Sequence, residues 1–428
     1  MLLTGIADPA VTFQVKAQGS IATYDAVSGR WSTSAPAASF SEGPNAFWVE
    51  LLGPRDEVRG SFAIDVEKGK TVQRVPPEIH GEAEWKPGAG PYVLEGEVNI
   101  HPDATLTVQA GVDVICQPGS TLTVRGALHV EGSAESPVTF RASDASRSWA
   151  GIRFQGGGHG KPHRIAGARF EGGGASTGVA EAFITVQTSS LDCESSCFRG
   201  IQGAALVSDG GTLTVRSTRV TDGKWGIVAR GGSLTVSDCE LCRLSGGGLR
   251  ASGLESGAGA VRNSALRDVR GAAVVVEGGS LELQSVLVCG SPEAISLSQG
   301  ARVQAKRLTL AMNGKGIVLD GQPRDPRKKA QAGGAARGAG SRIEVSESVL
   351  GVEAEHVSSL SAGQVAITRS IVAPAAAASR PLPTGDGVLR ATPVFAAPLR
   401  GDFRLAAGSP GKGAGEGGAD YGVGFYCK

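Results

Sequence analysis

The chain has few aromatic residues, with 12 Phe, 5 Trp and 4 Tyr in 428 positions, and few cysteines. Its seven cysteines (Cys116, Cys193, Cys197, Cys239, Cys242, Cys289 and Cys427) are an odd number and too sparse for a disulfide-framework fold. At least one thiol is unpaired. Neither sign of charge is in excess, since 42 Lys plus Arg stand against 41 Asp plus Glu. That balance excludes a global field steering the chain to nucleic acid or anionic lipid, so partners must be argued locally. No apolar run approaches the length of a membrane span. The start MLLTGIADPA lacks the basic and apolar stretches of an export signal, so for an exported protein the signal is missing from this sequence.

What is abundant is glycine, 64 residues with no collagen-like triplet, in a chain 41% apolar and 19% charged. This composition favours short strands joined by tight turns in a globular protein of more than one domain. A phrase recurs: 213-LTVRSTRV-220, 234-LTVSDCEL-241, 281-LELQSVLV-288, 343-IEVSESVL-350 and 365-VAITRSIV-372. Apolar residues hold its first, third and last places, and a small residue usually holds the sixth. The pattern is strand alternation followed by a bend.

The third place is followed through Ile165, Val186, Val215, Val236, Val261, Leu283, Ala305, Val345 and Ile367, mostly in steps of 21 or 22. A second phrase, a small residue then an apolar one, keeps step: Gly151-Ile152, Gly178-Val179, Ala205-Leu206, Gly226-Ile227, Gly248-Leu249, Ala273-Val274, Ala294-Ile295 and Gly316-Ile317. A period near 22 is too short for a propeller blade and lacks the asparagine pattern of leucine-rich repeats. It fits a parallel β-helix whose coils stack about 4.8 Å apart, none burying its apolar face alone.

The run ATLTVQAGV, then GSTLTVRGALHVEGSAESPVTF and WAGIRF, resembles the opening coils of bacterial right-handed parallel β-helix, pectate-lyase-like proteins. The tail 393-PVFAAPLRGDFRLAAGSPGKGAGEGGADYGVGFY-426 resembles their closing segment. Residues 1–75, with GRWS followed by 40-FSEGPNAFWVELLGPRDEVRGSFAIDVE-67, resemble a bacterial immunoglobulin-like module of secreted and surface proteins. In that module Arg55 and Glu57 fall in the turn where the family usually carries D-x-x-G. The expected organisation is all-β: a small immunoglobulin-like β-sandwich (1–75), a linker and cap with Pro76-Pro77 (76–92), a right-handed parallel β-helix (93–392) and a closing segment (393–428).

One step in the third-place series, Ala305 to Val345, is 40 residues, and the excess is the insertion 321–341. It carries Arg324, Arg327, Lys328, Lys329 and Arg337 against one acid, Asp325. It is either a solvated loop or a contact for an anionic polysaccharide or surface.

Catalytic residues are harder to nominate. His159 and His163, in 154-FQGGGHGKPHRIAGARF-170, are spaced i to i+4, but nothing there is helical, so they share no face. With Ile165 in the third place, His163 falls in the first, equivalent to Ile184, Leu213 and Leu234, and points inward, while His159 lies on a corner. No third ligand lies close in sequence. The tripeptide 158-GHG-160 resembles a motif of β-helix polygalacturonases, but the other motifs of that family are missing. Outward places give Arg219 above Glu240, and Arg307, Glu347 and Arg369 after Asp238 and Asn263, which reads as a solvent-facing ladder of opposite charges. Among the cysteines, Cys239 takes an inward small-residue place beside Thr218 and Ser264. Cys242 and Cys289 lie two rungs apart, beyond bridging reach. Cys193 and Cys197 share one corner and are close enough to bridge. Trp225 is the main aromatic candidate for sugar stacking.

The sequence thus assigns no catalytic, cofactor or metal residues. Its leading functional expectation is a non-catalytic secreted or cell-surface β-helix protein, adhesive or glycan-contacting, with a polysaccharide or the cell envelope as partner. The alternatives are a polysaccharide lyase, hydrolase or epimerase, and a structural stalk.

Overall fold

The computed structural model describes residues 2–34, 43–68, 72–144, 147–155, 163–174, 182–319, 340–351, 355–359, 364–374 and 385–425. The chain divides into two compact units, Met1–Val72 and Gln73–Lys428. The first is antiparallel throughout. One sheet pairs Leu2–Ile6 and Thr23–Tyr24 with Arg30–Ser34, and the other joins Ser20–Ile21, Gln14–Ala17, Gly43–Leu52 and Val58–Lys68. Alternation sends Val15, Ala17, Trp31, Phe47 and Val49 into a shared core. The turn between the two long strands is closed by Glu57, whose carboxylate accepts from the Arg55 N–H at 2.9 Å and ion-pairs with Arg59 at 2.7 Å.

The second unit is a parallel β-solenoid of about 11 turns. Most strands pair in parallel with the strand three places on, giving three strands per turn, and where Gly259–Arg267 and Ala272–Cys289 run on through a corner two such strands merge into one. Gln73–Arg74 and Glu78–Ile79, in and beside the stretch read as linker and cap, already pair with Tyr92–Val93 and Asn99–Ile100 as first-turn strands. In register, Ile165, Cys193, Val215, Val236, Val261, Leu283, Ala305, Val345 and Ile367 form one buried column. Because Ala305 pairs directly with Val345, the 40-residue step is a single turn.

This column corrects one assignment. Val186 is not in it; Cys193 is. Val186 lies in the third strand of its turn, between Phe154 and Ser208, and Ile184 pairs with Ile152 and Leu206. His163 therefore aligns with Leu191, not Ile184. Gly178-Val179 lies outside the described residues, and its place in the small-apolar series is held by Phe183-Ile184. The cause is steric. Phe183 is large where other turns are small, and glycines make the room: a Cβ on Gly173 would stand 2.3 Å from the Phe183 ring, and one on Gly151 1.9 Å from the Phe183 carbonyl oxygen.

The small sixth place and the fifth place before it share one physical cause. At the corner after the first strand, Ser217, Asp238, Asn263, Ser285, Arg307, Glu347 and Arg369 all hold positive φ, between 42° and 57°. Left-handed backbone costs a non-glycine residue about 1–2 kcal/mol. The next residue offsets it by bridging rungs. Ser348 Oγ donates to Ser346 O at 2.7 Å and accepts from the Leu308 N–H at 2.9 Å, and Ser370 accepts in turn from Ser348 at 3.0 Å. Ser196, Thr218 and Ser264 repeat the pattern, and the Cys239 thiol donates to Ser237 O at 3.1 Å in place of a hydroxyl. Ser348→Ala is expected to cost about 1–3 kcal/mol by orphaning the buried Leu308 N–H, while Ser346 O keeps the Arg307 N–H. Urea denaturation checks it, and a change below about 0.5 kcal/mol would show that the ladder carries no stability.

Candidate functional site: a groove beside the C-terminal segment

The seventh, outward place of the phrase runs Arg219, Glu240, Ala265, Leu287, Thr309, Val349, Ile371 from rung to rung. It changes from charged to largely apolar because the C-terminal segment lies over the later turns. There Phe403 and Val423 pack on Ala265, Leu287, Cys289 and Ala311, and Leu405 and Tyr421 pack on Val349 and Ile371. The segment is held by its own hairpin, Phe395–Ala397 with Asp402–Leu405, and by the Val423 N–H donating to Thr309 Oγ1 at 2.9 Å. The closing segment thus runs along a flank of the solenoid.

One consequence corrects the charge ladder. Arg307, Glu347 and Arg369 do lie in successive turns, but Glu347 is fully buried rather than solvent-facing. Its oxygens are 3.5 Å from Arg307, 3.3 Å from Arg369 and 3.7 Å from Lys306, and the Gly422 N–H donates to its backbone carbonyl at 2.7 Å. Lys306 also reaches Glu416 in the covering segment, at 2.7 Å, and holds that carboxyl below its ordinary value. The expected pair of Arg219 with Glu240 is present at 2.7 Å, and the structure adds Arg230 with Asp209 at 3.0 Å and Arg243 with Asp222 through two bonds of 2.7 and 3.0 Å.

Where the segment's edge meets the uncovered turns, a groove of about 790 Å³ opens. The corner residues Asp238, Asn263, Ser285 and Arg307 form one wall with Arg219 and Glu240, and Asp420 and Phe425 stand on the other. Glu240 is held between Arg219 and Arg267, with its side chain 12% exposed. Asp238 accepts from Asn263 Nδ2 at 3.3 Å, and Asp420 is tied to Lys412 at 2.6 Å and to the Gly413 N–H at 2.9 Å. Acid/base hydrolysis of a glycoside requires one carboxylic acid in surroundings that keep it protonated beside a second that is free. Here Glu240 has both oxygens engaged by Arg219 and Arg267, and Asp420 has one on Lys412 and the other on the Gly413 N–H. The wall is suited to donating and accepting hydrogen bonds with a hydroxyl-rich ligand.

No family model matches the chain, and no curated protein matches it. Among solved structures it is similar to that of a PL6 family alginate lyase, AlyGC, at 11% identity and a TM-score of 0.37. The match covers 76% of this chain and 54% of that one, so the chain spans about half the length of the lyase. A likeness this slight carries no residue correspondence.

The residues singled out from sequence fare unequally. Arg324, Arg327, Lys328, Lys329, Arg337, His159 and Cys427 lie outside the described residues. His163 is fully buried at the start of His163–Ala166, its ring 4.5 Å from that of Phe154, which leaves it no access to a substrate. Trp225 is not a free platform: its ring lies against Gly246 and Gly247, and the Arg250 guanidinium stands 5.9 Å from its centre. Cys193 and Cys197 are free thiols, because Cys193 belongs to the inward column and not to a corner. Burial pushes the Cys193 thiol up to about 12 and Cys239 to about 11, so neither is a nucleophile. Asp420 and Phe425 are not legible in the sequence, since nothing local says where a closing segment lands. The charged-to-apolar switch in the seventh place was the available signal.

Proposed function

We propose that this protein is a non-catalytic, glycan-contacting β-solenoid of the cell surface or extracellular space, with the flank groove as its contact site. The N-terminal unit would then serve as an immunoglobulin-like accessory module. The observation that carries the reading is the groove wall itself: carboxylate, carboxamide, hydroxyl and guanidinium groups side by side, with Phe425 at one side and Glu240 and Asp420 already tied to cations. Such groups fix a sugar's orientation through directional hydrogen bonds, and an aromatic face adds apolar contact.

A second reading, a polysaccharide-active enzyme, is favoured by one feature: Asp238, Glu240 and Asp420 share the groove with Arg219 and Arg307. The two readings separate in one experiment, in which the full chain is titrated with a panel of neutral and uronate oligosaccharides while reducing ends and unsaturated uronates are assayed. Saturable binding without turnover is expected, weakened about tenfold, or about 1.4 kcal/mol, by Asn263→Ala. Turnover that Glu240→Gln abolishes would replace the binding reading with the enzymatic one.

A further inference from the structure

His80 and His101 are 21 residues apart, one repeat period, and stack in consecutive rungs at the start of the solenoid. Ile79 pairs with Ile100, and the His101 N–H donates to Ile79 O at 2.9 Å, which sets the two imidazoles side by side with ring centres 4.8 Å apart. The chain then turns at His101-Pro102-Asp103-Ala104, closed by the Ala104 N–H donating to His101 O at 2.9 Å. Proline at the second position of that turn presets its backbone and brings Asp103 back toward His101. An Asp103 oxygen lies 2.5 Å from His101 Nδ1. One donor atom from each of the three side chains falls within 4.8 Å of the others, and all three are exposed to solvent. Among the described residues this is the one group of three His, Cys, Asp or Glu donors so arranged.

We propose that His80, His101 and Asp103 form a binding site for a borderline divalent transition-metal ion of the zinc class. Two imidazole nitrogens and one carboxylate oxygen are the donor set such ions take, with water completing the shell. Calcium and magnesium select all-oxygen sites and are poor candidates. The bland alternative is a surface His–Asp contact, which needs no third donor; His80, arriving from the previous rung, is what that alternative leaves unexplained. A bound ion would clip the first turn, which among the described residues pairs with strands on one side only, to the second, adding to the neighbour contacts from which a solenoid draws its stability. Arg125 follows Val124, the partner of Ile100, and so continues the column on the third rung. Its charge opposes the ion and limits affinity.

The test is calorimetric titration of the full chain with zinc chloride, with calcium chloride as the hard-cation arm, alongside thermal melting with and without zinc. One zinc per chain is expected, with little calcium binding and a zinc-dependent rise in melting temperature. Affinity should fall at least tenfold in His80→Ala and His101→Ala, fall in Asp103→Asn, rise in Arg125→Ala and stay unchanged in His129→Ala. The histidines are exposed, so the alanine variants should keep the metal-free melting temperature. Asp103→Asn, which preserves shape, provides the same test if an alanine variant folds poorly. Absence of saturable zinc binding, or binding unaltered in the His80→Ala/His101→Ala double variant, would overturn the proposal.

Discussion

Glu347→Ala is expected to destabilise the solenoid by about 2–3 kcal/mol and to loosen the C-terminal segment, because it deletes the one anion on which three cations converge. Glu347 is fully buried, while Lys306, Arg307 and Arg369 converge on its oxygens from three sides at 3.3 to 3.7 Å. Its removal leaves three half-exposed cations facing one another without their shared anion. Mutating a cation is expected to cost far less, since Lys306 is 38% exposed and can turn to solvent. The backbone supplies a control: Glu347 holds φ at 50°, so Glu347→Gly relieves about 1–2 kcal/mol of strain while losing the same charge. It should therefore be less damaging than Glu347→Ala, but still destabilising. Guanidinium denaturation gives the energies, and limited proteolysis should show earlier cleavage within 393–425. A variant with wild-type denaturation midpoint and cleavage pattern would mean that solvent already reaches the cluster.

The solenoid was legible because its physics is periodic. Inward first and third places and a small sixth must recur in each turn for strands to stack, so alignment of phrases found them; the left-handed fifth and the hydrogen bonds of the sixth came only with the structure. Legibility failed where one turn solved the same problem differently. At Cys193 a thiol fills the place that valine, leucine or isoleucine usually holds, and at Phe183 a large ring occupies a small place by borrowing space from glycines in neighbouring strands. Val186 and Val179 match the repeated pattern more closely than Cys193 and Ile184 do, and so draw the register away from its true course.

The candidate site was less legible for a different reason. Its groove needs two parts with no common period, the corner column and the closing segment, and only the first repeats. The seventh-place switch from Arg219 and Glu240 to Ala265 and Leu287 marks where the cover lies, but not which of its residues face the groove. The paired histidines show the reverse case. Their separation of one period was readable from the outset, and their meaning came only with the rung register that places the rings together.

Phe170→Ala tests whether the irregular turns are structural strong points. Phe170 is fully buried between Phe140 and Phe198, with stacked ring centres at 5.1 and 4.8 Å, and meets Phe183 edge-on at 5.6 Å. Trp149 adjoins both Phe140 and Phe183, at 6.3 and 4.8 Å. Truncation removes one ring from three aromatic contacts and opens a cavity between rungs that hydrogen bonding keeps in place, for an expected cost of about 3–5 kcal/mol. Phe170→Leu, which retains most of the volume, should cost less than about 1.5 kcal/mol. Because solenoid stability is a sum of neighbour terms, the damage should stay local. Denaturation of Phe170→Ala should then broaden or split into two steps, the turns before and after the defect losing cooperativity, while Phe170→Leu remains a single transition. A single sharp transition for Phe170→Ala within about 1 kcal/mol of the parent would show that the aromatic column is passive filling, and that the hydroxyl ladder and rung hydrogen bonds alone hold these turns together.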